Sequence, residues 1–313
     1  MSDSVSTTTG DGDTTVTKGI KVAVSALAVV FVVLRFYTRF FTKAGLGWDD
    51  WFILISVISE ILTIVFVLLA NAVDAGGNWV NSDSDPDYHY TPENIFHLKL
   101  FFVASILYFT ISSSAKLSIL IMYNRLFSVS TTFRYQVFVV GAVVVGFWLS
   151  CTVTTLTKCI PMEWSWLSNH NDARYCLNYN IFWMASGAAE AFVDVFIIAI
   201  PVRIVLKLQI KTRTKASVAA VFALGAVAVI TGLVKTILGY IPGSRIPSYL
   251  KTEVWTTVHV SMSIVCACLP VCWPLMKSIF NPKVDSYLAI ELNGHRTRTL
   301  DTGGDIDRPI ALV

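Results

Sequence analysis

Residues 35–52, RFYTRFFTKAGLGWDDWF, form a short charged connection between two strongly apolar stretches. Its basic residues precede a Gly-Leu-Gly sequence, and two adjacent aspartates follow it. Gly45 and Gly47 permit a tight reversal of the chain. Asp49 and Asp50 stand where carboxylates cap the free N–H groups at the start of a helix. The pattern predicts a polar loop between two apolar helices.

The composition on both sides of this loop favours a membrane environment. Of the 313 residues, 54% are hydrophobic and only 14% are charged, and the mean hydropathy is +0.63. Soluble domains carry about 25% charged residues. The net charge of +3 is small, and no basic tract or nucleic-acid motif is present. We therefore expect contact with the lipid bilayer and no nucleic-acid partner.

Seven segments approach the length of about 20 apolar residues that a spanning helix needs. We predict an all-α fold, a bundle of seven transmembrane helices. The Ser/Thr/Asp-rich start shows no cleavable signal peptide, so we expect the first span to be retained. Three parts follow, an extracellular tail at 1–19, a seven-span domain at 20–280 and a disordered cytoplasmic tail at 281–313. The predicted spans cover residues 20–41, 51–73, 97–123, 135–157, 180–203, 216–239 and 254–277.

Basic residues in the connections predict the orientation. Lys and Arg are concentrated in the first, third and fifth loops, and the fifth loop, RIVLKLQIKTRTK at 203–215, is basic throughout. Cytoplasmic loops carry such an excess. We therefore expect the N-terminus outside and the C-terminus in the cytoplasm.

In this topology the 35–52 loop lies at the cytoplasmic surface. The long side chains of Arg35 and Arg39 would reach the lipid headgroups. A second interpretation pairs Arg39 with Asp49 or Asp50 and locks the inner ends of the first two helices beside a surface for a signalling protein. The predicted cytoplasmic surface comprises Arg35, Arg39, Asp49, Asp50, Arg125 and Arg134.

Cys159 and Cys176 flank the second outer loop, where the environment is oxidising, so we predict a disulfide. The alternative is two unpaired thiols. The remaining cysteines lie in predicted spans, where they behave as small apolar residues, and none has the flanking histidines of a zinc site. The acidic run DSDPD at 83–87 lacks the pattern of a calcium loop. We expect no metal and interpret this run as a solvated loop.

Ionisable residues inside spans are costly and suggest functional sites. Lys116 and Asp194 fall at similar depth, so we expect them to pair. A polar cavity open to the outside is predicted from Glu60, Glu190, Lys235 and His259. The alternative is that all these groups form packing ion pairs that fix the helix register.

Pro270 and Pro274 in the last span predict a hinge, although kinked spans also occur in proteins that do not switch. Retinal pigments need a lysine near the middle of that span, but its lysines, Lys251 and Lys277, stand at its ends. No P-loop, HExxH or nucleophile motif is present. We expect no enzyme activity, no retinal and no other cofactor.

Several motifs resemble, in order and position, the fungal rhodopsin-domain family of seven-span membrane proteins, over about residues 20–280. They are R-x-Y-x-R at 35–39, GLGWDD at 45–50, KLSILIMYNRLF at 116–127, C-x-P…W…C from Cys159 to Cys176, D-x-x-I…P from Asp194 to Pro201, and ACLPVCWPL at 267–275.

The resemblance implies the seven-span fold and membership of a receptor-like group, without implying retinal. The chain departs from the family pattern at Lys235, where the family commonly has arginine, and at His259, where it commonly has glutamate. The cysteine-rich extracellular domain of some receptor-like members is not expected here, because few residues precede the first span.

The leading functional interpretation is a receptor-like sensor of an unknown extracellular or membrane-borne signal, with a small ligand and a cytoplasmic signalling partner. We expect it in the plasma membrane. Two alternatives remain, a proton-coupled transporter that relays protons through Glu190, Asp194 and His259, and a structural or accessory membrane protein.

Overall fold

The computed structural model describes residues 8–42, 45–73, 91–126, 131–167, 174–207 and 212–280. The acidic run at 83–87, the centre of the basic fifth loop and the tail from 281 lie outside the described residues. The described chain is almost entirely helical. Its helices are α1 (Thr8–Phe41), α2 (Trp48–Val73), α3 (Pro92–Leu126), α4 (Thr131–Leu156), the short α5 (Trp164–Leu167), α6 (Tyr179–Lys207), α7 (Thr212–Gly239) and α8 (Tyr249–Phe280).

Seven of these helices are long and apolar enough to cross a membrane, as the sequence predicts. Large apolar side chains point away from the bundle, such as Phe138, which is 76% exposed, and Phe192, which is 68% exposed. Lipid covers such surfaces, and each helix satisfies its own backbone hydrogen bonds. The seven-span, all-α prediction is confirmed.

Some helix ends differ from the predicted ones. Helix α1 begins at Thr8, although its apolar section starts only at Val16, so most of the predicted tail at 1–19 is helical. Helix α3 begins at Pro92, because proline suits the first helical position and the Thr91 hydroxyl accepts a hydrogen bond from the backbone N–H of Asn94 at 3.3 Å. Hydropathy alone does not register such capping residues.

The predicted hinge prolines lie within one helix. Helix α8 continues from Tyr249 to Phe280 through both Pro270 and Pro274. Any bending at these prolines is therefore a kink within a continuous helix and not a break between two helices.

The predicted disulfide between Cys159 and Cys176 is confirmed. Backbone hydrogen bonds flank it, from Ile160 N–H to Tyr175 O at 2.9 Å and from Leu177 N–H to Lys158 O at 2.7 Å. The Arg245 guanidinium donates to the Cys176 carbonyl at 2.7 Å, which ties this hairpin to the α7–α8 connection. We call this end of the bundle the disulfide end.

Lys158 is held between helices at the disulfide end. Its ammonium lies 5.0 Å from the Phe102 ring centre and 5.6 Å from the Tyr179 ring centre. Burial lowers the pKa of Lys158 to about 8 from an ordinary value of 10.5. The folded chain therefore releases this proton at a lower pH than the unfolded chain.

This difference predicts a pH-dependent stability. Below pH 8 Lys158 is protonated in both the folded and the unfolded chain, and the full cost of burying its charge is present. Between about pH 8 and 10.5 the folded chain has lost the Lys158 proton while the unfolded chain still holds it. The free energy of unfolding therefore rises with pH over this range. Lys158→Met should remove this rise and stabilise the chain at pH 7. Unfolding in detergent at pH 7 to 10 measures it, with exposed Lys99→Met as the control. Equal slopes in wild type and Lys158→Met would contradict the expectation.

At the opposite end, four residues form an arginine clamp, namely Arg35, Arg39, Asp49 and Asp50. Arg35 Nη2 lies 2.5 Å from Asp49 Oδ2, and Arg35 Nε lies 2.8 Å from Asp50 Oδ1. Arg39 Nη2 shares Asp49 Oδ2 at 2.5 Å. The interpretation in which Arg39 pairs with these aspartates agrees with this geometry. We call this end of the bundle the arginine end.

The clamp also reaches helices α3 and α8. Arg35 Nη1 donates to the Ala267 carbonyl at 2.6 Å, and Ser118 Oγ donates to the Asp49 carbonyl at 2.7 Å. Arg35 is fully buried, with 0% exposure. Its side chain therefore does not reach the lipid headgroups, which differs from the expectation from the sequence. Two carboxylates and a carbonyl inside the bundle satisfy the guanidinium, and no displacement toward the headgroups is needed.

The clamp predicts unequal losses from its two arginines. Arg35→Ala leaves two buried carboxylates with one partial partner, and should lower the free energy of unfolding by about 3–5 kcal/mol. Arg39→Ala should cost less, because its side chain is 9% exposed and Arg35 still contacts both aspartates. Denaturant unfolding in bicelles measures both. Exposed Arg174→Ala is the control, and equal losses from Arg35 and Arg39 would refute the unequal roles.

Candidate functional site

Glu190 on α6 is the centre of a buried cluster in the middle of the bundle. Its Oε1 accepts hydrogen bonds from Ser112 Oγ and from Lys116 Nζ, the latter at 3.1 Å. Its Oε2 accepts from Tyr108 OH and from Lys235 Nζ, the latter at 3.0 Å. One carboxylate therefore connects helix α6 with helices α3 and α7. We call this set, with Asp194 and His259, the Glu190 cluster.

Helix periodicity brings the α3 members together. Tyr108, Ser112 and Lys116 follow one another at intervals of four, so they share one face of the helix. Lys116 Nζ also lies 2.5 Å from Ser112 Oγ and 3.2 Å from Asp194 Oδ1. The predicted pairing of Lys116 with Asp194 matches this distance, but Lys116 serves Glu190 as well.

His259 joins the cluster from α8. Its Nδ1 donates to the Ala228 carbonyl at 2.9 Å, which places a hydrogen on that nitrogen. Its Nε2 lies 3.5 Å from Glu190 Oε1. A Cβ at Gly232 would come within 2.9 Å of the His259 ring, so only glycine permits this approach of α7 to the imidazole. The ring is therefore fixed between α7 and the carboxylate.

Most of the cluster is buried, and Asp194, with a side chain 14% exposed, is its most open charged member. Glu190, Lys235, His259 and Lys116 are between 1% and 3% exposed. Two lysines face two carboxylates, and His259 adds a charge only when protonated. Such a balanced network needs no charged ligand to neutralise it, although Asp194 Oδ2 and His259 Nε2 have no hydrogen bond of normal geometry within the described residues. For Glu190, Lys235 and His259 the structure therefore differs from the predicted open polar cavity, because the side chains bond one another instead.

A separate cavity of about 120 Å³ lies between α1, α2, α3, α6 and α8 in the disulfide half of the bundle. We call it the Glu60 cavity, since Glu60 is the one member of the predicted set that lines it. Most of its wall is apolar or aromatic. Its other lining residues include Val22, Thr63, Ile64, Val67, Phe101, Ala104, Ser105, Tyr108, Phe109, Tyr179, Trp183, Thr256 and Val260.

Glu60 differs from Glu190 in having no cationic partner among the described residues. Its Oε1 accepts a hydrogen bond from Ser261 Oγ. Ser25 is a second hydroxyl neighbour of the carboxyl group, and Oε2 has no hydrogen bond of normal geometry within the described chain. Glu60 is only 2% exposed. A buried carboxyl oxygen is therefore left available beside an apolar cavity.

An ion pair stands at the end of the cavity nearest the disulfide. Lys21 on α1 and Glu253 on α8 lie 2.5 Å apart, and both line the cavity. Their side chains are 11% and 18% exposed. The pair joins the first and last helices at the edge of the cavity.

Tyr108 is the residue common to the cavity and the cluster. Its side chain lines the Glu60 cavity, and its hydroxyl bonds Glu190 and accepts a hydrogen bond from Lys235. Sequence reasoning missed Tyr108 because tyrosine is common on apolar helices. The four-residue spacing to Ser112 and Lys116 is the signal that would have found it.

The remaining predicted residues lie at the arginine end. Arg125 Nη1 is 3.9 Å from Asp49 Oδ1, and Arg134 is exposed near the start of α4. Neither contacts the Glu190 cluster or the Glu60 cavity. Among the described residues no three His, Cys, Asp or Glu side chains come together as a metal site would require.

The cluster predicts strong coupling between Glu190 and Lys235. Glu190→Gln or Lys235→Met alone should lower the free energy of unfolding by about 3–5 kcal/mol, because each leaves a buried charge poorly compensated. The double variant should lose clearly less than the sum of the two. Unfolding in bicelles measures the cycle, with exposed Lys99→Met as control. Additive losses would show that the two groups do not act together.

Comparisons with known proteins agree with this architecture. The family model of the fungal rhodopsin domain matches residues 34–278. No solved structure matches the chain.

Three relatives illustrate the range of proteins that the chain resembles. Satratoxin biosynthesis SC1 cluster protein 4 of Stachybotrys chartarum is 26% identical over 59% of this chain and 67% of its own length. Polyenoic acids biosynthesis gene cluster protein Ba17b of Metarhizium anisopliae is 26% identical over 82% of this chain and 72% of its own. Receptor GIN3 of Arthrobotrys oligospora is 24% identical over 76% of this chain, which spans 57% of the receptor.

The family match covers six whole predicted spans and the end of the first, and it includes the arginine clamp, the disulfide and every member of the Glu190 cluster. The chain therefore belongs to the fungal rhodopsin domain family of integral membrane proteins.

Proposed function

We propose that the protein is a receptor-like sensor that binds a small molecule in the Glu60 cavity and contains no retinal. The observation that carries the proposal is an apolar, aromatic-lined cavity with one buried carboxyl oxygen that lacks a hydrogen bond. Binding sites for small molecules are mostly apolar, with few polar groups that fix orientation. The relative named as a receptor supports the same class of function.

The cavity favours a compact ligand with one polar end. Its volume of about 120 Å³ is near that of an engineered cavity of about 150 Å³ that holds benzene. A hydroxyl or protonated amine on such a ligand would donate to Glu60 Oε2, while the ring or chain would contact Phe101, Phe109 and Trp183. An anionic end would meet the carboxyl group and be disfavoured.

Tyr108 supplies a route from the ligand to the rest of the bundle. A ligand that displaces its ring would alter the hydrogen bonds of Tyr108 with Glu190 and Lys235. Ligand binding shifts a conformational equilibrium only through different affinities for the two states, and a tyrosine shared by cavity and cluster provides such a difference. The response would reach a signalling protein at the arginine end, which the basic loops predict to be cytoplasmic, in a protein that we propose to act in the plasma membrane.

An accessory membrane protein is the second candidate. The mostly buried and balanced Glu190 cluster favours it, because such a network stabilises a bundle without any ligand. The relatives named as biosynthesis cluster proteins also suit a supporting role. The two candidates differ in whether water and ligands enter the Glu60 cavity.

Thiol accessibility tests this difference. Ala104→Cys and Thr256→Cys place thiols in the cavity wall, on a background in which Cys151, Cys266, Cys268 and Cys272 are replaced and the disulfide is kept. We expect a small, membrane-impermeant thiol reagent to label both positions in intact cells, and benzylamine to slow the labelling. Protection of both thiols in a folded, surface-expressed protein would favour the accessory role.

Filling the cavity tests the ligand site itself. Ala104→Phe should abolish protection by benzylamine at position 256, because the new ring occupies the cavity. Glu60→Gln should weaken protection by benzylamine, since an amide oxygen accepts a hydrogen bond from an ammonium group less strongly than a carboxylate does. Ala189→Phe, at an exposed position of α6, is the matched control. Unchanged protection in Ala104→Phe would place the ligand elsewhere.

A further inference from the structure

We propose that the arginine end of the groove between α3 and α4 binds one anionic phospholipid, independently of any ligand in the Glu60 cavity. The phosphate lies against Arg134 and Arg125, and one acyl chain lies in the apolar groove. Two adjoining features carry this inference, a groove on the lipid-facing side of the bundle and a basic recess at its end.

The groove is apolar and open. It has a volume of about 690 Å³ and runs between Leu117 and Ile121 of α3 and Phe138, Gly141 and Val145 of α4. A Cβ at Gly141 would meet no heavy atom within 4 Å. The glycine therefore leaves space that no side chain of the described chain fills.

The basic recess continues the groove toward the arginine end. It has a volume of about 530 Å³ and is lined by Trp48, Asp49 and Arg125. Ile121, Asn124 and Arg134 line both the recess and the groove. One molecule can therefore occupy both if it is polar at one end and apolar at the other.

The charge of the recess is positive. The carboxylates of Asp49 and Asp50 are held by the guanidinium groups of Arg35 and Arg39. Arg125, whose side chain is 43% exposed and lies 3.9 Å from Asp49 Oδ1, and exposed Arg134 raise the count to four cationic side chains for two carboxylates. Guanidinium groups bind phosphate oxygens in bidentate fashion.

The length of the groove matches one lipid leaflet. Arg134 and Val145 are eleven residues apart on α4, which is about 16 Å along a helix axis. Half of the hydrocarbon core of a bilayer is about 15 Å. Trp48 at the recess is 76% exposed, as expected of an aromatic residue at headgroup level. A phosphate at Arg134 therefore leaves room for one acyl chain that reaches the middle of the membrane.

Lipid retention in native mass spectrometry tests the proposal. The full chain is reconstituted in nanodiscs of equal phosphatidylglycerol and phosphatidylcholine, and the lipids that remain bound after release are counted. We expect one phosphatidylglycerol to be retained in clear preference to phosphatidylcholine. Each arginine near a headgroup contributes about fivefold, so Arg134→Gln should reduce this preference about fivefold.

Gly141→Leu tests the acyl-chain part of the site. The leucine fills the groove and should displace the retained lipid without touching the arginines. Gly146→Leu is its matched control, because a Cβ there also meets nothing within 4 Å and Gly146 does not line the groove. Arg174→Gln, at an exposed position of the disulfide end, is the control for Arg134→Gln.

Three results would overturn the proposal. One is retention of both lipids in proportion to their supply, which would mean ordinary annular lipid. Another is a preference that survives both Arg134→Gln and Gly141→Leu. The third is loss of a dimer, and not of a lipid, in Gly141→Leu, which would make the groove an interface between two copies of the chain.

Discussion

A carboxylate in the middle of a membrane protein must be compensated by groups within the bundle. Glu190 therefore requires cationic and hydroxyl partners on the neighbouring helices. Its two oxygens take hydrogen bonds from α3 and α7, while His259 approaches from α8. Each partner has a fixed position on its helix. The contacts with Glu190 therefore constrain how far α3, α6, α7 and α8 can slide past one another along the membrane normal. The arrangement holds only while water is excluded, since water would compete for the same hydrogen bonds.

The arginine clamp applies the same requirement at the end of the bundle. There a buried guanidinium is the costly group, and the aspartates of α2 and a carbonyl of α8 compensate it. Glu60 stands apart from both arrangements, because its neighbours are hydroxyl groups and an apolar cavity. Glu190 and Arg35 have partners of opposite charge, whereas Glu60 has none among the described residues. This contrast is the basis for distinguishing structural charges from a candidate binding group.

Much of the fold could be predicted from the sequence, because runs of apolar residues report membrane spans directly and the two loop cysteines were predicted to lie in an oxidising environment. The site was harder to predict. The sequence predicted Lys116 in a pair with Asp194, apart from the outward cavity that contained Lys235 and His259. Long side chains and offsets between the helices nevertheless bring all three residues to Glu190. Arg35 was expected at the headgroups for a similar reason: hydropathy reports how a residue is distributed along the chain, not which partner the neighbouring helices present.

The Lys21–Glu253 pair has a consequence for the kinetics of the cavity. Both side chains retain some exposure, so dissolved ions reach them, and the attraction between such charges weakens as the Debye length falls from about 10 Å at 0.1 M salt to about 3 Å at 1 M. Opening of this pair breaks one contact between α1 and α8, and neither Lys21 nor Glu253 belongs to the Glu190 cluster. We therefore expect the exchange of small molecules between the cavity and the surrounding fluid to depend more on ionic strength than the buried ion pairs of the Glu190 cluster do.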